Sequence, residues 1–215
     1  MIQVFIVGFG KFGKMALAQW VRLWGKARIW VIDSRPEVLT ALGPGPYPGI
    51  RVLADGPQFL TDYQEWIKDE DWVIPALPVH LAWKWLDLNL ETRTRPKAIL
   101  PPQSLGFSLP YCRTDRKGLY LSYADFICPE NCPALIRHCF KTKEKRAVPL
   151  WKFLAEQQCP KGTLEVIESR QIAPGVGGYA FKELRRIRNL AQKAGPPFFV
   201  ATACRCHGVI HGATW

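Results

Sequence analysis

Val4-Phe-Ile-Val-Gly8-Phe-Gly10-Lys-Phe-Gly13 is the stretch that decides how this chain begins to fold. Residues 2–7 form a short apolar run of the kind that suits a buried parallel strand. The six residues that follow fit G-x-G-x-x-G, and Lys14 to Leu23 reads as a helix. Each glycine has a mechanical reason: Gly8 for a tight turn, Gly10 for close approach of backbone to a pyrophosphate, Gly13 for close packing of helix on strand. The unpaired amides of the first helical turn, reinforced by the helix dipole, would face the phosphates, with Lys11 and Phe12 inside the same turn. A second apolar run, Ala27 to Ile32, delivers Asp33 to its end. There a carboxylate can accept hydrogen bonds from the ribose hydroxyls of an adenosine. Asp33 favours NAD(H) over NADP(H) because it repels a 2′-phosphate, while the neighbouring Arg35 works in the opposite direction.

Downstream, Pro36 to Leu42 predicts a short helix that ends in the proline-rich loop 43–49. Ile50 to Ala54 predicts a third strand and Pro57 to Lys68 a helix. Trp72 to Pro75 gives a fourth strand, Val79 to Leu90 an amphipathic helix and Lys97 to Leu100 a fifth strand. Strands alternating with helices at this spacing predict an α/β fold with a Rossmann-like, doubly wound, mostly parallel sheet. Pro101-Pro102 marks its edge. The expected division is a dinucleotide-binding domain over 1–102 and a basic, cysteine-containing α/β extension over 103–215, which could extend the same sheet.

Three segments, Val7-Gly-Phe-Gly-Lys-Phe-Gly13, Val31-Ile-Asp-Ser-Arg-Pro-Glu-Val-Leu39 and Ile50-Arg-Val-Leu-Ala-Asp55, together resemble the nucleotide-binding domain of potassium-transport regulators, the TrkA N-terminal type. The likeness continues more loosely through Asp71-Trp-Val-Ile-Pro-Ala76 and covers about the first hundred residues. It implies NAD(H) or another adenine nucleotide at the matching glycines and acid. It also implies a regulatory nucleotide sensor as readily as a dehydrogenase.

The second half is predicted to hold a strand at Leu119 to Ile127, a helix at Pro149 to Gln157 and a strand at Thr163 to Glu168. Two cysteine pairs stand out. Cys128 and Cys132 share a proline-bracketed loop, and Cys204 and Cys206 follow a buried run at Pro197 to Ala203. In each pair both sulfurs can reach one centre, and four thiolates satisfy a tetrahedral zinc or an iron–sulfur cluster. His138, Cys139 and His207 are alternates. With 71 residues between Cys132 and Cys204, the fold must bring the pairs together. Seven cysteines in a chain with no leader-like N-terminus predict a reduced, cytoplasmic protein. A second glycine-rich segment, Gly175, Gly177 and Gly178, is expected to open into a helix at Tyr179 to Ala194. A helix start of that kind would make an anion site near Lys182 or Arg185.

Net charge is +11, and the halves differ: 12 basic and 10 acidic side chains over 1–110, 17 and 8 over 111–215. Such a balance suits acidic partners, either a phosphate-bearing substrate or an acidic protein face. The basic helix lacks interleaved exposed aromatics, so it reads as a solvated face and nucleic acid is disfavoured. No run reaches eighteen apolar residues, so no membrane span is expected. The expected partners are the dinucleotide, the acidic partner and, in a homo-oligomer, a second copy. The expected function is a redox role, oxidoreductase or electron transfer, with NAD(H) and a thiolate-bound zinc or iron–sulfur cluster. The alternative is a non-catalytic sensor acting on an acidic partner.

Overall fold

The computed structural model describes residues 1–24, 27–40, 49–92, 94–115, 118–134, 137–146 and 148–215. The loop expected at 43–49 falls mostly outside them. In chain order the elements are β1 (Gln3–Val7), α1 (Lys11–Trp24), β2 (Arg28–Asp33), α2 (Pro36–Thr40), β3 (Gly49–Leu53), α3 (Gly56–Asp62), β4 (Trp72–Pro75), α4 (Leu81–Asn89) and β5 (Lys97–Ile99). After a short 3₁₀ turn at Gln103–Gly106 come β6 (Tyr111–Asp115), β7 (Gly118–Ser122), α5 (Leu150–Ala155), β8 (Thr163–Glu168), β9 (Arg170–Ala173), β10 (Val176–Ala180), α6 (Lys182–Ala194), β11 (Phe198–Ala203) and β12 (His207–Thr214).

The fold is α/β with two mixed sheets. The first runs β3-β2-β1-β4-β10-β9. Its first four strands are parallel, as the buried apolar runs predict, and β10 and β9 join antiparallel. The second runs β6-β7-β12-β11-β8, with β5 also paired to β12, and only its β8–β11 ladder is parallel. Lys97–Ile99 is therefore not a fifth strand of the first sheet, because its ladder partner is Gly212–Thr214. The sheets exchange elements across residue 102: β5 goes forward to the second, and the β9–β10 hairpin returns to the first.

The alternation along each strand builds the layers. Val4, Ile6, Val31 and Ile74 face α1 and α2 through Leu17, Trp20 and Leu39. Phe5, Val7, Ile32 and Val73 face the opposite way, onto a core shared with Trp85, Phe181, Ile187, Phe198 and Val200. The helices α4 and α6 thus lie between the sheets. Phe199, Ala201 and Ile210 point to the far side, where Leu150 and Leu154 of α5 cover them. Burial of each such side chain is worth about 1.5–3 kcal/mol.

Candidate functional site

The junction of β1 and α1 has the geometry its glycines predict. Gly8 sits at φ +96°, its amide donates to Ile32 O at 2.7 Å, and a Cβ there would approach Ala76 O to 2.6 Å. A Cβ on Gly13 would overlap the carbonyl oxygen of Gly8, so close packing of the helix end forbids any side chain. Around Gly10 nothing lies within 4 Å of an added Cβ, which leaves the loop open to a ligand. The first helical hydrogen bond runs from Lys14 N to Gly10 O at 3.0 Å. The amides of Lys11, Phe12 and Gly13 precede it, in the first turn, where a helix leaves its donors without intrahelical partners.

Asp33 is buried at the end of β2, and its carboxylate is already engaged. It accepts from the Phe9 amide at 2.7 Å, and from the Arg35 amide, Nε and Nη2 at 3.0 Å each. The Arg35 guanidinium holds its pKa down at about 2, against the effect of burial and with help from the Phe9 amide. Any further donor brought to this carboxylate would have to share it with Arg35.

At the C-terminal end of β4 opens a crevice of about 380 Å³, walled by Phe12, residues 74–78 and residues 175–177. Beyond it lies a larger cavity of about 730 Å³, which again has Phe12, Gly175 and Gly177 in its wall. Cys128, Cys132, Cys139, Cys204 and Cys206 all line this second space, together with His138 and His207. The fold therefore brings both predicted pairs, and all three alternates, to one cavity. All seven cysteines are free thiols. Among the described residues no group of three His, Cys, Asp or Glu side chains gathers closely enough to hold a single ion.

The thiols differ in their surroundings. Cys204 Sγ accepts the amides of Cys206 and His207 at 3.4 and 3.3 Å. At Cys139 burial pushes the pKa up, but hydrogen bonds from Thr142 and Lys141 and the charge of Arg146 prevail and lower it. Cys206 Sγ accepts from Arg146 Nη1 at 2.8 Å, yet burial still raises its pKa. Cys128 is raised by burial and then by the neighbouring thiols of Cys132, Cys139 and Cys204. Burial, followed by Arg146, lowers the pKa of His207. Arg146 is the residue that the sequence reading passed over. It hides in a run of lysines, and only folding puts its guanidinium among sulfurs.

Gly175, Gly177 and Gly178 do not open a helix. They form the turn and second strand of the β9–β10 hairpin, and α6 begins only at Lys182. The reason lies in close approaches rather than helix initiation. Gly175 adopts φ +74°, and a Cβ there would overlap Glu130 O, while one on Gly178 would come within 2.6 Å of Val73 O. The Cys128–Cys132 loop docks on this hairpin through Gly175 N to Cys132 O at 3.1 Å and Gln171 Nε2 to Cys132 O at 2.7 Å. It also reaches back to the glycine-rich loop through an ion pair between Lys11 and Glu130. Arg185, expected beside an anion, instead engages Asp69 and the carbonyls of Gln64 and Ile67.

A histidine pair lies apart from both cavities. His80 Nδ1 and His211 Nδ1 are 3.1 Å apart, and His80 Nε2 meets Thr202 Oγ1 at 2.8 Å. Residues 131 positions apart in sequence cannot be paired by spacing alone.

No helix among the described residues is long and apolar enough to cross a membrane. Residues 80–215 match the AF_1314_C family, described as "Uncharacterized protein, C-terminal domain". A protein of Archaeoglobus fulgidus, described as an uncharacterized protein, is 30% identical over 216 residues, covering 95% of this chain and 96% of its own. No solved structure matches.

Proposed function

The chain belongs to the AF_1314_C family, whose matched segment carries all seven cysteines, and we propose that it is an NAD(H)-binding redox protein, acting in oxidoreduction or electron transfer. In this reading the parallel strands β3-β2-β1-β4 are half of a Rossmann-like sheet, as the resemblance of residues 1–100 to the TrkA N-terminal type suggests, and the cofactor lies across their C-terminal ends. The thiols of the adjoining cavity hold a metal or an iron–sulfur cluster. A reducing, cytoplasmic setting suits that thiol content.

One observation carries the proposal. Phe12, Gly175 and Gly177 belong to the walls of both the crevice and the thiol cavity, so the two spaces are neighbours. The residues fit a dinucleotide. Space is left at Gly10, Gly13 is closed to any side chain, and Asp33 stands one strand away. Gly8, Gly10 and the amides of Lys11, Phe12 and Gly13 would receive the pyrophosphate, and Asp33 and Arg35 the adenosine ribose. When bound, a nicotinamide supplies a hydride and a thiolate-held metal centre supplies a path for single electrons. The chain's own part would be to wall the crevice with Phe12, Ile74, Leu77 and Val176 and so exclude water from whatever is bound there.

Calorimetric titration with NADH tests the nucleotide half. Binding is expected in the wild type, weakened about 10- to 100-fold in Asp33→Ala by loss of charge-assisted hydrogen bonds. A flat wild-type titration with NADH and NADPH alike would overturn it. The second reading, a nucleotide sensor acting on an acidic partner, draws on the ion pair of Lys11 with Glu130, which ties nucleotide loop to cysteine loop. Binding of NADH without electron transfer to an artificial acceptor would favour that reading.

A further inference from the structure

Five thiols surround the cavity, and a thiolate-ligated centre of the usual kind takes four. Their local geometry separates them. Cys139 and Cys204 carry the same device, a sulfur that accepts the main-chain amides two and three residues ahead. At Cys204 these come from Cys206 and His207, and at Cys139 from Lys141 and from Thr142 at 3.5 Å. Amides aimed at sulfur stabilise a thiolate while leaving its remaining lone pairs free for a metal. Cys206 is different, because its sulfur is taken at 2.8 Å by the guanidinium of Arg146. Arg146 is fixed in turn by the Tyr123 carbonyl. Cys128 and Cys132 share the loop that the β9–β10 hairpin holds against the cavity.

The spread of the thiols is the second clue. A single tetrahedral zinc, with Zn–S near 2.3 Å, needs four sulfurs within about 4 Å of one another. The five cysteines here line a space of about 730 Å³, room for several metal atoms rather than one. A polynuclear cluster holds its ligands further apart, because iron and inorganic sulfide fill the middle.

We infer that this cavity binds a polynuclear iron–sulfur cluster through Cys128, Cys132, Cys139 and Cys204, and that Arg146 keeps Cys206 out of the ligand set. The inference rests on the thiol cavity being the redox site proposed above, and names its cofactor class and ligands. It also changes the pairing expected from spacing, since Cys139 replaces Cys206.

The test uses the full chain, purified anaerobically, reconstituted with ferrous iron and sulfide under reductant, and desalted. Wild type is expected to hold more than one iron per chain, matched by acid-labile sulfide, with broad visible absorption that dithionite bleaches. Cys139→Ser and Cys204→Ser should each lose more than half of that iron, whereas Cys206→Ser should keep it. Thermal melting and NADH titration of each variant distinguish a lost ligand from a lost fold. Should a variant not fold, alkylation footprinting of wild type before and after loading replaces it. Cys139 should then become protected on loading and Cys206 should not. Iron kept in Cys139→Ser and lost in Cys206→Ser overturns the ligand set. Uptake of one zinc and no iron overturns the cluster but leaves the thiol site. Uptake of neither metal overturns the inference together with the redox reading of the cavity, while the NADH titration reports separately on the crevice.

Discussion

At His211 two aromatic rings, a second imidazole and a glycine close around a base that stays neutral. Trp83 stacks at 6.1 Å with an 18° tilt, Tyr120 meets the ring edge-on, and a Cβ on Gly118 would come within 2.5 Å of the imidazole. Burial first, and then the charge of Lys84, bring its pKa down from 6.5 to about 4. His80 is depressed in the same direction, by burial and by His211 itself. A histidine whose folded pKa lies below its unfolded value leaves the unfolded chain holding more protons between the two. Stability is therefore complete above about pH 6.5 and declines as pH falls toward about 4. His211 is only partly buried, so solvent screening discounts its share to on the order of 1–2 kcal/mol. Urea midpoints measured from pH 7.5 down to 4.5 should fall, and His211→Gln should flatten the decline. An unchanged slope in the variant would show that other groups govern it.

At the scale of elements, the β9–β10 turn decides where the cysteine loop lies. Gly175→Ala would place a methyl group on Glu130 O at a positive φ, costing about 2–3 kcal/mol. Lower thermal stability together with faster alkylation of Cys128 and Cys132 is expected. Unaltered alkylation would mean that the hairpin does not hold that loop. The same hairpin shows why sequence reading succeeds in one place and fails in another. β1, β2, β3 and β4 are legible because each is a local apolar run bounded by glycine, proline or acid. The helix expected at Tyr179 began instead as a strand, because Gly177 and Gly178 serve contacts with Ser169 and Val73 rather than a helix cap. β12 was not anticipated at all. Its His207-Gly-Val-Ile-His-Gly-Ala-Thr214 contains two glycines, which lack β propensity but are needed where Phe199 and Ala203 press in. For the site, the residue types and pair spacings were visible. The amide cradle of Cys139 and the guanidinium on Cys206 exist only once loops 139–142 and 204–207 have folded.

Across the whole molecule, three of the five basic residues on α6, Arg185, Arg186 and Arg188, turn out to be structural. Arg186 donates to Glu165 at 2.8 Å, to the Val166 carbonyl at 2.7 Å and to Glu183 at 2.9 Å, tying the helix to β8. Arg185 and Arg188 tie its other side to residues 64–69, so the face expected to be solvated is a clamp between the two sheets. Arg186→Met should cost about 1–2 kcal/mol after discounting for its partial exposure, a fall of about 3–6 °C in melting temperature. A shift below about 1 °C would show that these bonds only replace hydration. The exchange of β5 and the β9–β10 hairpin between sheets has a practical consequence for anyone dissecting the protein. A fragment ending near residue 102 keeps four parallel strands but leaves the outer border of β4 with no antiparallel neighbour, an unfinished edge that recruits other chains. Such a fragment should sediment as aggregates, and adding residues 170–180 back through a short linker should restore a monomer.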